Sequence, residues 1–231
     1  MADHVNALGQ PVGAPLNITL PRPRPPRTPM KGQWCDVVPL DPEAHAAGLF
    51  EAYSADVEGR IWTYLPQGPF VDSVAFRAWM DATCLTDDPL FHTIVVDGRP
   101  LGVASLMRID PANGVIEVGN INYAPALSRS REATEAMYLL MRRAFEELGY
   151  RRYEWKCDAL NAPSRQAAAR LGFTYEGTFR QAVTYKGRNR DTAWFSILDT
   201  EWPRLREGFI TWLDPANFDD TGRQRSPLRF D

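Results

Sequence analysis

The chain is poor in cysteine, in histidine and in net charge. Three cysteines, Cys35, Cys84 and Cys157, stand among 231 residues, odd in number and without a CxxC spacing. That usage fits unpaired thiols in a reducing compartment, not a disulfide framework. The three histidines, His4, His45 and His92, are far apart and form no HxxxH, so no metal is expected. Lys plus Arg number 26 against 29 Asp plus Glu, a formal charge of −3. This balance lacks the basic footprint of a nucleic-acid binder, and no nucleic-acid partner is expected. No apolar run reaches the ~18 residues of a membrane span. Residues 1–20 carry no apolar signal core, so the expectation is a cytoplasmic protein away from membranes. A GxxxxGK[ST] loop and a strand-embedded GxGxxG are also missing, which weakens any nucleotide-phosphate enzyme.

What is present is an ordinary globular composition, 44% apolar and 24% charged. A unit of this length buries about 70% of its unfolded surface without a staple. Residues 1–32 stand apart as a proline-rich arm, with seven of the 19 prolines before residue 30. The run Pro21-Arg-Pro-Arg-Pro-Pro-Arg27 excludes a helix and favours extended backbone. It reads either as a docking ligand for an aromatic groove or as an arm wrapping the domain or a partner copy in a homodimer. Residues 33–213 read as one α/β domain and 214–231 as an irregular tail.

Within the domain the expected order is β-α-α-β-β-β-α-β-α-β-β. Asp41-Pro42 and Asp72 open the first two helices as caps. Between them, 61–70 reads as an aromatic loop. Asn113-Gly114 turns a hairpin between strands 101–109 and 115–123. The helix 131–148 shows an apolar stripe from Ala133 to Leu148 and stops at Gly149. A strand at 153–157, a helix at 164–171 and strands 175–185 and 191–198 follow. A terminal helix over 203–213 completes the domain.

Two junctions carry chemistry. The strand ending at Tyr123 feeds Ser128-Arg-Ser-Arg131 and then the long helix, whose N-terminal amides and positive dipole end suit a phosphate. At the second, Asn161 and Ser164 sit at a strand-to-helix turn. Either is a cap, and Asn161 also offers an amide that can pair with another amide.

The Asn161-x-x-Ser164…Leu171-Gly-Phe173 block, following a proline loop and a helix with Ala133-Thr-Glu-Ala136, resembles the GCN5-related N-acetyltransferases (GNAT). It is most similar to their ribosomal-protein N-terminal acetyltransferase branch, over about residues 35–200. The resemblance implies a mixed, mostly antiparallel central sheet splayed open and flanked by helices, with acetyl-CoA as co-substrate in the opening. It implies pairing of the pantetheine arm with the backbone of Ile121, Asn122 and Tyr123, and an amide contact from Asn161. Phosphate contacts fall to Arg129, Ser130, Arg131, Ala133 and Thr134. Two departures stand out. Arg131 replaces the usual glycine, where it either narrows the pyrophosphate approach or substitutes for part of it. Ala168 replaces the usual tyrosine acid, leaving thiolate stabilisation to Ser164 or to no side chain.

Glu117 lies eleven residues before Ser128, the spacing at which several members carry a glutamate base; otherwise it is a strand-edge carboxylate paired with an arginine. Trp62, Tyr64 and Phe70 either wall the acceptor pocket, with Asp72 or His92 as polar handles, or plug the core. Arg180 and Asp191 on the last hairpin are further candidates. Trp194, Phe195 and Trp202 read as core, and Cys157 as packing in preference to an acyl carrier. The implied function is transfer of acetyl from acetyl-CoA to a primary amine, on a small molecule or a peptide N-terminus. The alternative is a non-catalytic acyl-CoA-binding or interaction module with a degraded phosphate loop.

Overall fold

The computed structural model describes residues 4–230. A short hairpin, β1 (His4–Val5) with β2 (Pro11–Val12), stands outside the main sheet. The arm is therefore not wholly irregular. After it run β3 (Met30–Lys31), β4 (Asp36–Pro39), α1 (Pro42–Ser54), α2 (Ser73–Thr83), β5 (Leu90–Val96), β6 (Arg99–Asp110) and β7 (Val115–Tyr123). The second half is α3 (Arg131–Arg142), β8 (Arg152–Asp158), α4 (Ala162–Arg170), β9 (Thr174–Tyr185), β10 (Arg188–Leu198) and α5 (Trp202–Leu213). The eight-stranded sheet has the order β3-β4-β5-β6-β7-β8-β10-β9. Its pairs are antiparallel except β7 with β8, which the α3 crossover makes parallel.

Local sequence explains most boundaries. Asp41 accepts from the Glu43 amide and Asp72 from the Ala75 amide, so both expected caps close their helices. This capping places Asp72 at the α2 N-terminus. Helix α3 continues as a π-type turn, Arg143–Glu147, before Gly149. Its buried Leu139, Leu140 and Met141 lie in one apolar cluster with Ile116, Val118 and α5. A second cluster, on the face covered by α1 and α2, gathers Leu49, Tyr53, Trp62, Phe76, Met80 and Phe91. Each such side chain, fully buried, contributes about 1.5–3 kcal/mol.

The terminal segments are held against the domain. Arg143, itself buried, donates to the carbonyls of Thr28 (2.7 Å) and Pro29 (3.3 Å). Tyr150 donates to Pro23 at 3.1 Å, and the Arg22 amide to Pro111 at 2.9 Å. At the other end Phe218 is buried and Phe230 packs on Phe209 at 5.2 Å between ring centroids. The tail is mostly irregular, with a short helical turn at Pro215–Asn217 and a bridge between Phe218 and Gln224, and it is not loose.

Candidate active site

The central feature is a parting of strands. β7 and β8 pair only from Val115–Val118 with Arg152–Trp155. Beyond that point Gly119–Tyr123 and Lys156–Asp158 have no mutual pairing, while β7 keeps its pairing with β6. The cause lies in β7. Its register against β6 slips between the pairs of Val103 and Ser105, and Asn120 in the slip has a φ of +50°. This bulge turns the strand. It is stitched by Asn120 Nδ2 donating to Ser105 Oγ (2.9 Å) and Ser105 Oγ donating to the Gly119 carbonyl (3.2 Å). A Cβ at position 119 would meet Met107 Sδ, so any larger residue there would require that side chain to move.

Ile121 and Tyr123 pack toward α3, which turns Asn122 between them to the opposite face, where Glu117 lies. The Asn122 carbonyl accepts from the Tyr53 hydroxyl at 3.1 Å. Its side-chain amide is buried with neither Oδ1 nor Nδ2 partnered among the described residues. An orphaned amide beside unpaired strand backbone fits a polar, amide-containing ligand.

The α3 N-terminus lies on the chain directly after the parted strand. Ser130 caps it, Oγ accepting from the Ala133 amide at 3.0 Å, and Arg129 takes a left-handed φ of +63°. The amides of Arg131 and Glu132 remain as first-turn donors. Thr134 is buried, its hydroxyl donating to the Ser130 carbonyl (3.3 Å) and accepting from Arg170 (3.1 Å). The Arg131 side chain lies against Trp34 and Glu132. Its guanidinium lies 3.7 Å from the Trp34 ring centroid, and its Nε pairs with Glu132 at 2.9 Å. The cation–π stack holds the guanidinium beside the Trp34 ring. At α4, Asn161 Oδ1 accepts from the Ser164 amide (3.1 Å), and Ser164 Oγ accepts from Trp155 Nε1 (2.9 Å). The Asn161 Nδ2 stays available, while the Ser164 hydroxyl lies between Trp155 Nε1 and the Cys157 thiol.

The acetyltransferase (GNAT) domain family matches residues 37–174. A crystal structure of a GCN5-related N-acetyltransferase from Brucella melitensis superposes with a TM-score of 0.90 at 46% identity, over 92% of this chain and 97% of that one. That of a probable acetyltransferase from Chromobacterium violaceum gives 0.78 at 42% identity, over 84% and 97%. The chain belongs to the GNAT family. Among curated relatives, the putative ribosomal N-acetyltransferase YdaF of Bacillus subtilis is 31% identical over 109 residues, 47% of this chain. The match spans 59% of that protein's length.

Around the GNAT opening the structure gathers charges that sequence reading passed over. Glu117 is buried, with Lys156 Nζ at 2.8 Å and Arg108 Nε at 3.2 Å. Burial pushes its carboxyl above the usual range, and Lys156 and then Arg108 pull it back. Lys156 also reaches Glu154 at 2.7 Å and sits 3.8 Å from the Trp194 ring centroid. Trp194 therefore faces this charged surface, stacked with Phe179 at 4.6 Å, and is not core. Phe195 and Trp202 are buried as expected. The one sequence signal for the cluster was Glu154-x-Lys156, two residues apart on one strand face.

The aromatic segment is divided. The Trp62 ring is inside the second core, edge-on to Tyr53 and Phe70 at 5.3 Å each. It packs there because 60–62 forms a tight helical turn against α1 and α2. A cavity of about 380 Å³ on that side is lined by Phe50, Tyr53, Trp62 and Phe70 with Asp56 and Glu58. Tyr64 instead donates to the Leu160 carbonyl (3.2 Å), and Lys186 donates to the Trp62 carbonyl (2.7 Å). These bonds tie the segment to the α4 lead-in and the β9–β10 hairpin. His92 is not beside it: fully buried in β5, it feels Arg143 beyond α3. Arg180, Gln181, Asn189 and Asp191 line a shallow polar hollow of about 560 Å³. Cys157 is buried, and burial raises its thiol, which suits packing and not an acyl carrier.

Proposed function

We propose that the chain transfers an acetyl group from acetyl-CoA to a primary amine by direct attack. The observation that carries this reading is the parting of β7 from β8 immediately ahead of the capped α3 N-terminus. The Ile121–Tyr123 stretch has no strand partner on the β8 side and can take the pantetheine arm as an added strand. Asn161 Nδ2 adds an amide contact. The α3 start at Arg129–Ala133, with Arg170 behind Thr134, receives the diphosphate. When bound, acetyl-CoA supplies the acyl group as an activated thioester.

The chain's own groups then do three things. Glu117 takes the proton that the attacking amine must lose, directly or through one water. A β7 amide at the opening donates to the developing oxyanion. The Ser164 hydroxyl donates to the departing thiolate. The acceptor approaches from the face bearing Glu117, Tyr64 and the β9–β10 hairpin. We favour a peptide or protein N-terminus, because the relative YdaF is named as a putative ribosomal N-acetyltransferase.

The test is acetyl transfer to a panel of peptides and small amines, followed by thiol release, beside thermal unfolding with acetyl-CoA or NAD. Ligand at 100 times its dissociation constant adds about 2.7 kcal/mol. The expected result is a higher midpoint with acetyl-CoA only, and turnover that falls by about 10²–10⁴ in Glu117→Gln with that shift kept. Binding with equal background turnover in both proteins would instead favour a non-catalytic acyl-CoA-binding module.

A further inference from the structure

We infer that Lys156 is a positioning residue of the transfer reaction, holding Glu117 as an oriented carboxylate by standing between it and Glu154. The inference rests on the reading of Glu117 as the base. The parallel register sets Glu117 directly opposite Glu154 across β7 and β8. Their side chains are only 5% and 9% exposed. Two like charges facing each other in a sheet repel, and burial removes the water that would screen them.

Lys156 is the first β8 residue past the paired stretch. Its own side chain is 7% exposed, with Nζ 2.8 Å from Glu117 and 2.7 Å from Glu154. The Trp194 ring lies against the ammonium and fixes it from the β10 side. The pair is the middle of a row of alternating charge. Arg108 on β6 meets Glu117 at 3.2 Å, and Arg152 meets Glu154 at 2.7 Å and Glu176 on β9 at 2.5 Å. Ser196 on β10 donates to Glu176 at 2.7 Å. Asp158, on the same face of β8, is engaged by the Tyr185 hydroxyl (2.7 Å) and the Leu160 amide (2.8 Å).

Lys156 is the one cation in this row that touches both buried carboxylates. Without it the two would stand opposite each other with arginines only at the far ends. Arg108 is 58% exposed and screened by water. Loss of the ammonium would then push the already raised Glu117 carboxyl further toward its protonated form. A protonated Glu117 accepts nothing from the amine.

The experiment compares wild type with Lys156→Met, Lys156→Arg, Glu154→Gln, Lys156→Met/Glu154→Gln and Glu117→Gln. Glutamate carboxyl carbons are titrated by NMR, the Glu117 signal being the one lost in Glu117→Gln. The pH profile of kcat/KM with one fixed amine is recorded in parallel, so that the amine's own titration is common to all. Glu117 should titrate at least one pH unit higher in Lys156→Met. It should return toward wild type when Glu154→Gln is added, and stay near wild type in Lys156→Arg. The acidic limb of kcat/KM should move with it, while the acetyl-CoA thermal shift holds.

A folded Lys156→Met in which Glu117 titrates as in wild type overturns the inference. So does a rate lost equally at every pH and not recovered by Glu154→Gln. If Lys156→Met does not fold, Glu154→Gln with and without Lys156→Met decides. In that background Glu117 should titrate near wild type with or without Lys156→Met, and a rise of a full pH unit on adding Lys156→Met, with Glu154 already neutral, overturns the inference. Full activity in Glu117→Gln removes the base reading alone, because the carboxyl titration is measured without turnover.

Discussion

At the scale of single residues, burial and partners decide roles that residue type leaves open. Asn161 was legible as a cap because the Asn-x-x-Ser spacing at a strand-to-helix turn defines one, and its Oδ1 does accept from the Ser164 amide. Lys156 was not legible, because its role depends on which residue of another strand stands opposite. Glu135 is a similar case. On the apolar-striped α3 it reads as an ordinary helix glutamate. In the fold its buried carboxylate accepts from the amides of Gln33 (2.7 Å), Trp34 (2.6 Å) and Cys35 (2.8 Å). Removing it orphans three donors, each costing about 1–3 kcal/mol. Glu135→Ala is expected to lose at least about 3 kcal/mol in urea unfolding, and Glu135→Asp less. A loss below about 1 kcal/mol would refute this anchoring of the β4 lead-in.

At the scale of elements, patterning located strands and helices well, and capping residues placed their starts. Period-two and period-3.6 apolar repeats depend on local sequence alone. The bulge at Asn120 was not legible, since the slip exists only relative to β6. The same limit applied to the phosphate loop. An arginine in place of glycine suggested interference, yet the Arg131 side chain stacks on Trp34, a residue nearly a hundred positions away. Arg131→Ala is therefore expected to leave acetyl-CoA affinity within about twofold while lowering stability by about 0.5–2 kcal/mol through the lost stack. Calorimetric titration with acetyl-CoA beside thermal unfolding checks both halves. A tenfold loss of affinity would return the side chain to the phosphate site.

At the scale of the whole molecule, the sheet is covered on one face by α1 and α2 and on the other by α3 and α5, so strand residues become interior. His92 shows the consequence. Burial, with Arg143 next in effect, lowers its imidazole from 6.5 to about 3. The folded state holds it neutral, while the unfolded chain binds a proton below about 6.5. Stability is therefore complete above that pH and falls as the pH drops toward 3, since the unfolded state binds more protons in the window. Half-buried His45, lowered by burial, acts in the same direction. Glu176, lowered to about 2 chiefly by its bond with Arg152, loses its contribution further down, between about 4.5 and 2. Between pH 7 and pH 5 the wild type should lose about 2 kcal/mol that His92→Leu keeps, one pKa unit being about 1.4 kcal/mol. Parallel unfolding slopes for the two proteins would refute it.

The sequence by itself determined the order of elements from β4 onward, the caps, the apolar stripe of α3 and the Asn161–Phe173 block, because each is set by residues within a few turns of one another; the short strands β1 to β3 were not legible. Only the tertiary structure decided where the sheet opens, that Lys156 stands between Glu117 and Glu154, that Arg131 stacks on Trp34, and that the arm lies along its own domain. Each of these depends on strand register or on a partner far along the chain. Register and burial are fixed when separate elements pack, and no local pattern carries them.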